Sequence, residues 1–96
     1  MLFRSIGQMS IQLAVNSLLK FMSEFSALPQ WTPSRSGGVQ LDWHESAIDL
    51  EIIFEPFEAD CGYARLSDQQ TGDFWEGRVD RRLDDLRAVL ANRLVR

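Results

Sequence analysis

The sequence is poor in the residues that build covalent or metal-held frameworks. Its 96 residues include one cysteine, Cys61, and one histidine, His44. A lone cysteine excludes an internal disulfide and a cysteine-based zinc site, and it fits a reducing cytoplasm. A lone histidine excludes any site that needs two imidazoles. Lysine is confined to Lys20, and proline to Pro29, Pro33 and Pro56. No apolar run is long enough to cross a membrane. The stretch from Met1 to Ala27 does not read as a secretory signal, because Asn16, Ser17 and Lys20 interrupt its apolar part and Glu24 follows. Gly37-Gly38 leads into an extended segment and opens no helix, so no phosphate-cradling loop is present.

What is present is acidic and unevenly spread. The formal charge is −4, which argues against a general nucleic-acid binder. From Ser36 to Ala64 there is no Lys or Arg, while Asp42, Glu45, Asp49, Glu51, Glu55, Glu58 and Asp60 all fall there. The end of the chain is arginine-rich, with Arg78, Arg81, Arg82, Arg87, Arg93 and Arg96 set among Asp80, Asp84 and Asp85. The spacings Arg81–Asp84 and Asp84–Arg87 suit pairing along a helix. A self-paired, solvated helix face is therefore expected there rather than a phosphate-binding one. Pairing of these arginines with the acidic middle of the chain is an open alternative.

One domain is expected over residues 1–96, with residues 1–9 outside its ordered part. Ile11, Val15, Leu18, Met22 and Phe25 form an apolar stripe that predicts a helix from Ser10, as its cap, to Ser26. Pro29 and Pro33 end it and force an extended connection around Trp31. Val39, Leu41 and Trp43 then alternate with Gln40, Asp42 and His44. Ile48, Leu50, Ile52 and Phe54 alternate with Asp49, Glu51, Ile53 and Glu55. Both segments are period-two strands. With Glu45 opposite Ile48, the pairs Trp43–Leu50, Leu41–Ile52 and Val39–Phe54 share one side, and a one-residue slip would destroy the match. Ser46-Ala47 is poor chemistry for a two-residue primed turn, so a four-residue loop of the same parity is an equal reading.

Pro56 stops the second strand, and Glu58 to Gly62 reads as a loop. Weaker strand signals cover Tyr63–Leu66 and Phe74–Arg78, joined by a turn-rich Ser67–Asp73. Val79, Leu83, Leu86, Leu90 and Leu94 mark a last helix, with Asp80 near its start and Arg93 and Arg96 near its end. The expected fold class is α+β: a small antiparallel sheet of three to four strands, with an N-terminal and a C-terminal helix packed on its apolar face.

The register that buries Trp43 sets Asp42 opposite Glu51 and His44 opposite Asp49 on the other face. Like charges facing across a ladder cost about 0.2–1 kcal/mol, a cost that vanishes when a cation docks. The candidate partner-binding residues are accordingly Gln40, Asp42, His44, Asp49, Glu51, Ile53 and Glu55. Ile53 interrupts the polar face and suits the apolar anchor of an interface whose rim is charged. The plain alternative is a solvated outer face. Trp31 is a second candidate anchor, against the competing reading of a lid over the core. If Phe74-Trp75 is in a strand, one ring points in and the other out.

Catalytic signals are thin. His44 and Asp49 have the types of a general base and its orienting carboxylate, but no motif sets a Ser or Cys beside them. Cys61 lies among acidic residues, which oppose thiolate formation. No catalytic residue, metal ligand or cofactor is assigned, although Asp42, Asp49 and Glu51 are types that Mg²⁺ accepts.

The run Gly37-Gly38-Val39-Gln40-Leu41-Asp42-Trp43-His44, followed by Asp49-Leu50-Glu51-Ile52, resembles a group of small uncharacterised bacterial and phage proteins. They share a Gly-Gly turn, a strand with an acidic-Trp pair and an Asp-Leu-Glu-Ile strand. Pro29 and Pro33 fit the proline-containing lead-in of that group, and the likeness covers roughly Pro29 to Glu55. An Asn-Trp-Asp-type segment that members often carry upstream is missing. The group is associated with toxin–antitoxin or defence loci, so the resemblance implies a small partner-binding protein and supplies no catalytic residues. The expectation is a cytoplasmic, non-enzymatic module, antitoxin-like or a phage-encoded anti-defence inhibitor. Its acidic sheet face would occupy a basic, nucleic-acid-binding type of site on its target, without itself binding nucleic acid or membrane. The alternatives are a homodimeric structural or accessory subunit and a small metal-dependent hydrolase.

Overall fold

The computed structural model describes residues 8–34, 37–55 and 62–96. The class is α+β. Helix α1 (Gln8–Phe21) precedes five strands, β1 (Gln30–Pro33), β2 (Val39–Glu45), β3 (Ile48–Phe54), β4 (Tyr63–Asp68) and β5 (Phe74–Arg78), and helix α2 (Leu83–Asn92) closes the order. The strands form one antiparallel sheet in sequence order, a plain meander.

The central hairpin has the register that its hydrophobic pattern demands. Val39 faces Phe54, Leu41 faces Ile52, Trp43 faces Leu50 and Glu45 faces Ile48. The seven apolar residues of these rows are each 2% exposed or less. Together with Ala64 and Leu66 of β4 they form the sheet side of the core, and Ala14 and Phe21 of α1, Leu86 and Leu90 of α2 and Leu94 just beyond it close the other side. The Trp43 indole N–H donates to the Ala27 carbonyl at 2.9 Å, so the largest core side chain leaves no buried donor unmet.

Several expectations are corrected. The sheet has five strands, because the extended connection around Trp31 is itself a strand, with Trp31 opposite Leu41 and Pro33 opposite Val39. Helix α1 begins at Gln8 and ends at Phe21, so Ser10 lies inside it and Phe25 beyond it. Its buried side is Ala14, Ser17 and Phe21, while Ile11 and Val15 are each 41% exposed. Small residues bring the helix close to the sheet; of the predicted stripe, Leu18 and Met22 pack against the core, while Ile11, Val15 and Phe25 are turned outward. The last apolar stripe is split. Val79–Arg81 is a 3-10 turn, and α2 starts at Leu83, with Asp84 and Asp85 in its first turn. Asp80 therefore does not belong to the helix, and Arg93 caps it.

The β2–β3 turn takes the shorter alternative. Ser46 and Ala47 are its two residues, at φ 55° and 63°, the left-handed pair that a primed turn requires. Before β2, Gly38 has no substitute, since a Cβ there would meet the Phe54 carbonyl oxygen at 2.1 Å. The N-terminal and C-terminal parts are stitched together as well. Ala27 N–H donates to the Leu94 carbonyl at 2.7 Å, and Arg96 N–H to the Phe25 carbonyl at 2.8 Å. Pro56, Cys61 and most of the loop expected from Glu58 to Gly62 lie outside the described residues, as do residues 1–7. No helix among the described residues is long and apolar enough to cross a membrane.

Candidate interaction face

Both helices contribute to the core side of the sheet, and the other side is lined by the alternate residues of every strand. The registers arrange these residues in three rows running across the sheet. One row is Thr32, Gln40, Ile53, Tyr63 and Arg78. The next is Gln30, Asp42, Glu51, Arg65 and Glu76. The third is His44, Asp49, Ser67 and Phe74. All the candidate partner-binding residues within β2 and β3 thus fall on one face, and Glu55 follows directly after β3.

The middle row carries the electrostatic tension. Asp42 stands opposite Glu51. The Gln40 side-chain amide donates to both Asp42 oxygens, at 2.9 and 3.2 Å. This satisfies lone pairs and leaves the charge in place. Arg65 neighbours Glu51 across β3–β4, yet its guanidinium bonds Glu76 on the far side, at 3.2 Å. The arginines of the last segment do not neutralise this row. Arg78 bonds Asp80, Arg82 bonds Asp85 and Arg87 bonds Asp84. The pairing expected along the helix is present, with Arg82–Asp85 in place of Arg81–Asp84. Arg93 goes to Asp68.

His44 and Asp49 close the end of the face next to the turn. His44 Nδ1 lies 2.8 Å from an Asp49 oxygen, and both side chains are about half exposed. The second Asp49 oxygen accepts from the Gln69 amide at 3.0 Å. The hydrogen bond to Asp49 raises the His44 pKa above its ordinary value; partial desolvation opposes this, and the charges of Asp49, Asp42 and Glu51 add to it. A carboxylate held by an amide and beside an exposed imidazole is a fixed anionic point. Among the described residues, the side chains hydrogen-bonded to Asp49 are His44 and Gln69, and no three His, Cys, Asp or Glu side chains converge as metal ligands.

The apolar part of the face is larger than Ile53 alone. Tyr63 sits directly opposite Ile53 and is 43% exposed. Phe74 points outward and Trp75 inward, where the Arg82 guanidinium stacks on its ring at 5.1 Å. Trp31 is on the core side at the sheet edge and remains 42% exposed. Sequence reasoning missed Tyr63, Arg65, Gln69 and Glu76 as members of the face. Their signal was the short alternation Tyr63, Arg65, Ser67 against Ala64, Leu66, Asp68.

Two shallow depressions lie away from this face. One, of about 400 Å³, is lined by Ala27, Leu28, Glu45, Val95 and Arg96. The other, of about 280 Å³, is lined by residues including Lys20, Phe21, Ser23 and Arg87. No protein-family model, curated protein or solved structure matches the chain.

Proposed function

We propose that this protein is a non-enzymatic binding module that offers the uncovered face of its sheet to a basic surface on another protein. The observation that carries this reading is the Asp42–Glu51 pair, two carboxylates held face to face on the uncovered side of the sheet with no cation of the described residues between them. Folding alone gains nothing from that arrangement. A partner that inserts an Arg or Lys there removes the repulsion and gains a charge-assisted bond. Ile53 and Tyr63, one row away, supply the apolar anchor next to that charge.

In the most concrete form, the chain is an antitoxin-like or phage-encoded inhibitor whose acidic rows take the place of nucleic-acid phosphates on its target. Such a face acts chiefly by steering encounter and selecting the partner. The experiment is a charge reversal, Asp42→Lys with Glu51→Lys, measured against the protein that the wild-type chain captures from host lysate. At low salt, association is expected to slow by about tenfold or more, and the salt dependence is expected to flatten. Unchanged binding with unchanged salt dependence overturns the reading.

A further inference from the structure

Helix α1 leaves one flank uncovered. Ala14, Ser17 and Phe21 face the core. Ile11, Val15 and Leu19 follow one another at four-residue spacing on an outward flank, 41%, 41% and 78% exposed. Leu18 and Met22, on the same flank, pack against the core, so the stripe runs from the core edge out to solvent. Single apolar residues on a surface need no explanation, whereas a contiguous stripe marks an interaction surface. Gln12 and Asn16 border it, and the Gln12 amide donates to the Asn16 side-chain oxygen at 3.3 Å. The chain is acidic elsewhere. Here its first carboxylate is Glu24, beyond the end of the helix, and the charge that α1 carries is Lys20.

We propose that this stripe joins two copies of the chain, α1 against α1 and antiparallel, about a two-fold axis at Val15. Charge argues for a second copy as the occupant. Molecules of net charge −4 repel one another, most strongly where carboxylates meet, and the stripe of α1 brings none to the contact. A helix lying on a membrane would instead carry several Lys or Arg on its polar side. The spacing argues for the axis: with Val15 against Val15, Ile11 of each copy meets Leu19 of the other. Charge also sets the direction. Parallel helices would bring the two Lys20 side chains together. In the antiparallel pair each Lys20 stands five residues from the axis, so the two are about 15 Å apart along it at 1.5 Å per residue. That exceeds the screening length of about 8 Å in physiological salt. Opposed helix dipoles favour the same direction. Three partly exposed side chains offer far less than the roughly 800 Å² per partner of a standard interface, so the dimer is weak and depends on concentration. Helix α1 packs on the side of the sheet opposite Asp42 and Glu51. The dimer therefore leaves both open faces free, whatever they dock.

The test is sedimentation equilibrium of the full chain in physiological salt over a wide concentration range, with methyl resonances followed in parallel. A monomer–dimer equilibrium is expected. The methyls of Ile11, Val15 and Leu19 should shift as concentration rises, and those of Ile53 on the open face should not. Val15→Glu and Val15→Lys should each weaken the dimer at least tenfold through like charges at the axis, with wild-type circular dichroism showing that both still fold. An equimolar mixture of the two variants should associate at least tenfold more tightly than either alone, because opposite charges then meet at the axis. A wild-type chain that stays monomeric throughout, as it would if the stripe served another protein or a lipid surface, overturns the proposal. So does a mixture that associates no better than the single variants. Asp42→Lys with Glu51→Lys should not weaken this equilibrium, which separates it from docking on the open face.

Discussion

Arg93, just after α2, joins the β2–β3 turn to the β4–β5 turn, both far from it in sequence. Its guanidinium bonds the Asp68 carboxylate, the Ser46 carbonyl at 3.0 Å and the Gln70 side-chain oxygen at 2.9 Å. Asp68 is 6% exposed and also accepts the backbone N–H groups of Gln70 and Thr71. From the sequence, Arg93 reads only as a cation suited to a helix end. Its work is instead to neutralise a buried carboxylate that the alternation of β4 points inward. Removing one partner of a sequestered pair leaves the other charge stranded, whereas an exposed pair contributes little. Arg93→Ala should therefore lower Tm clearly more than Arg82→Ala or Arg87→Ala, whose carboxylate partners are exposed. Arg93→Lys should recover only part of the loss, because an ammonium lacks the planar fork that reaches several acceptors at once. Thermal unfolding of the four variants checks this, and equal losses across the three alanine variants would refute it.

At the level of elements, the β2–β3 hairpin was legible and its turn was not. Two strands of strict alternation admit one register, and β2 and β3 adopt it. The turn residues say the opposite of what their backbone does, since neither Ser46 nor Ala47 favours positive φ. Tertiary contacts override that preference: Arg93 holds the Ser46 carbonyl, and Gln69 N–H donates to the Ala47 carbonyl at 2.9 Å. The strain is removable. Ser46→Asn with Ala47→Gly keeps both carbonyls in place and supplies the residues that this turn prefers. The pair should stabilise the fold by about 1–2 kcal/mol, read as a higher urea midpoint with an unchanged slope. Elsewhere the sequence misled for physical reasons. Pro29 and Pro33 hide β1, because proline argues against a strand except at an edge, where β1 lies. Helix α1 was rotated in the sequence reading because Ile11 and Val15 outweigh Ala14 and Ser17 in hydrophobicity, while close packing favours the smaller pair.

For the whole molecule, the acidic half of the open face could be read from β2 and β3, and the mixed half could not. Arg65, Glu76 and Tyr63 reach the face only once β4 and β5 are registered beside it, and their alternation is too short to fix that alone. Two groups with shifted pKa values, Asp68 and His44, sit on opposite sides of the sheet and set opposite limits on stability. Asp68 is held down to about 2 from 3.8, chiefly by its bond to Arg93. Its contribution is complete above about pH 3.8 and is lost as pH falls toward 2. His44 is raised above 6.5, chiefly by its bond to Asp49. Its contribution is complete below pH 6.5 and is lost as pH climbs through the raised value. The His44 step is the smaller, since that pair is half exposed and screened. The urea midpoint should therefore be highest between about pH 4 and pH 6.5, falling steeply on the acid side and slightly on the other. Asp68→Asn should flatten the acid limb, and Asp49→Asn should erase the shallow step above neutrality while leaving the acid limb as it was. A wild-type midpoint that rises steadily from pH 5 to 8 would show that His44 gains no partner on folding.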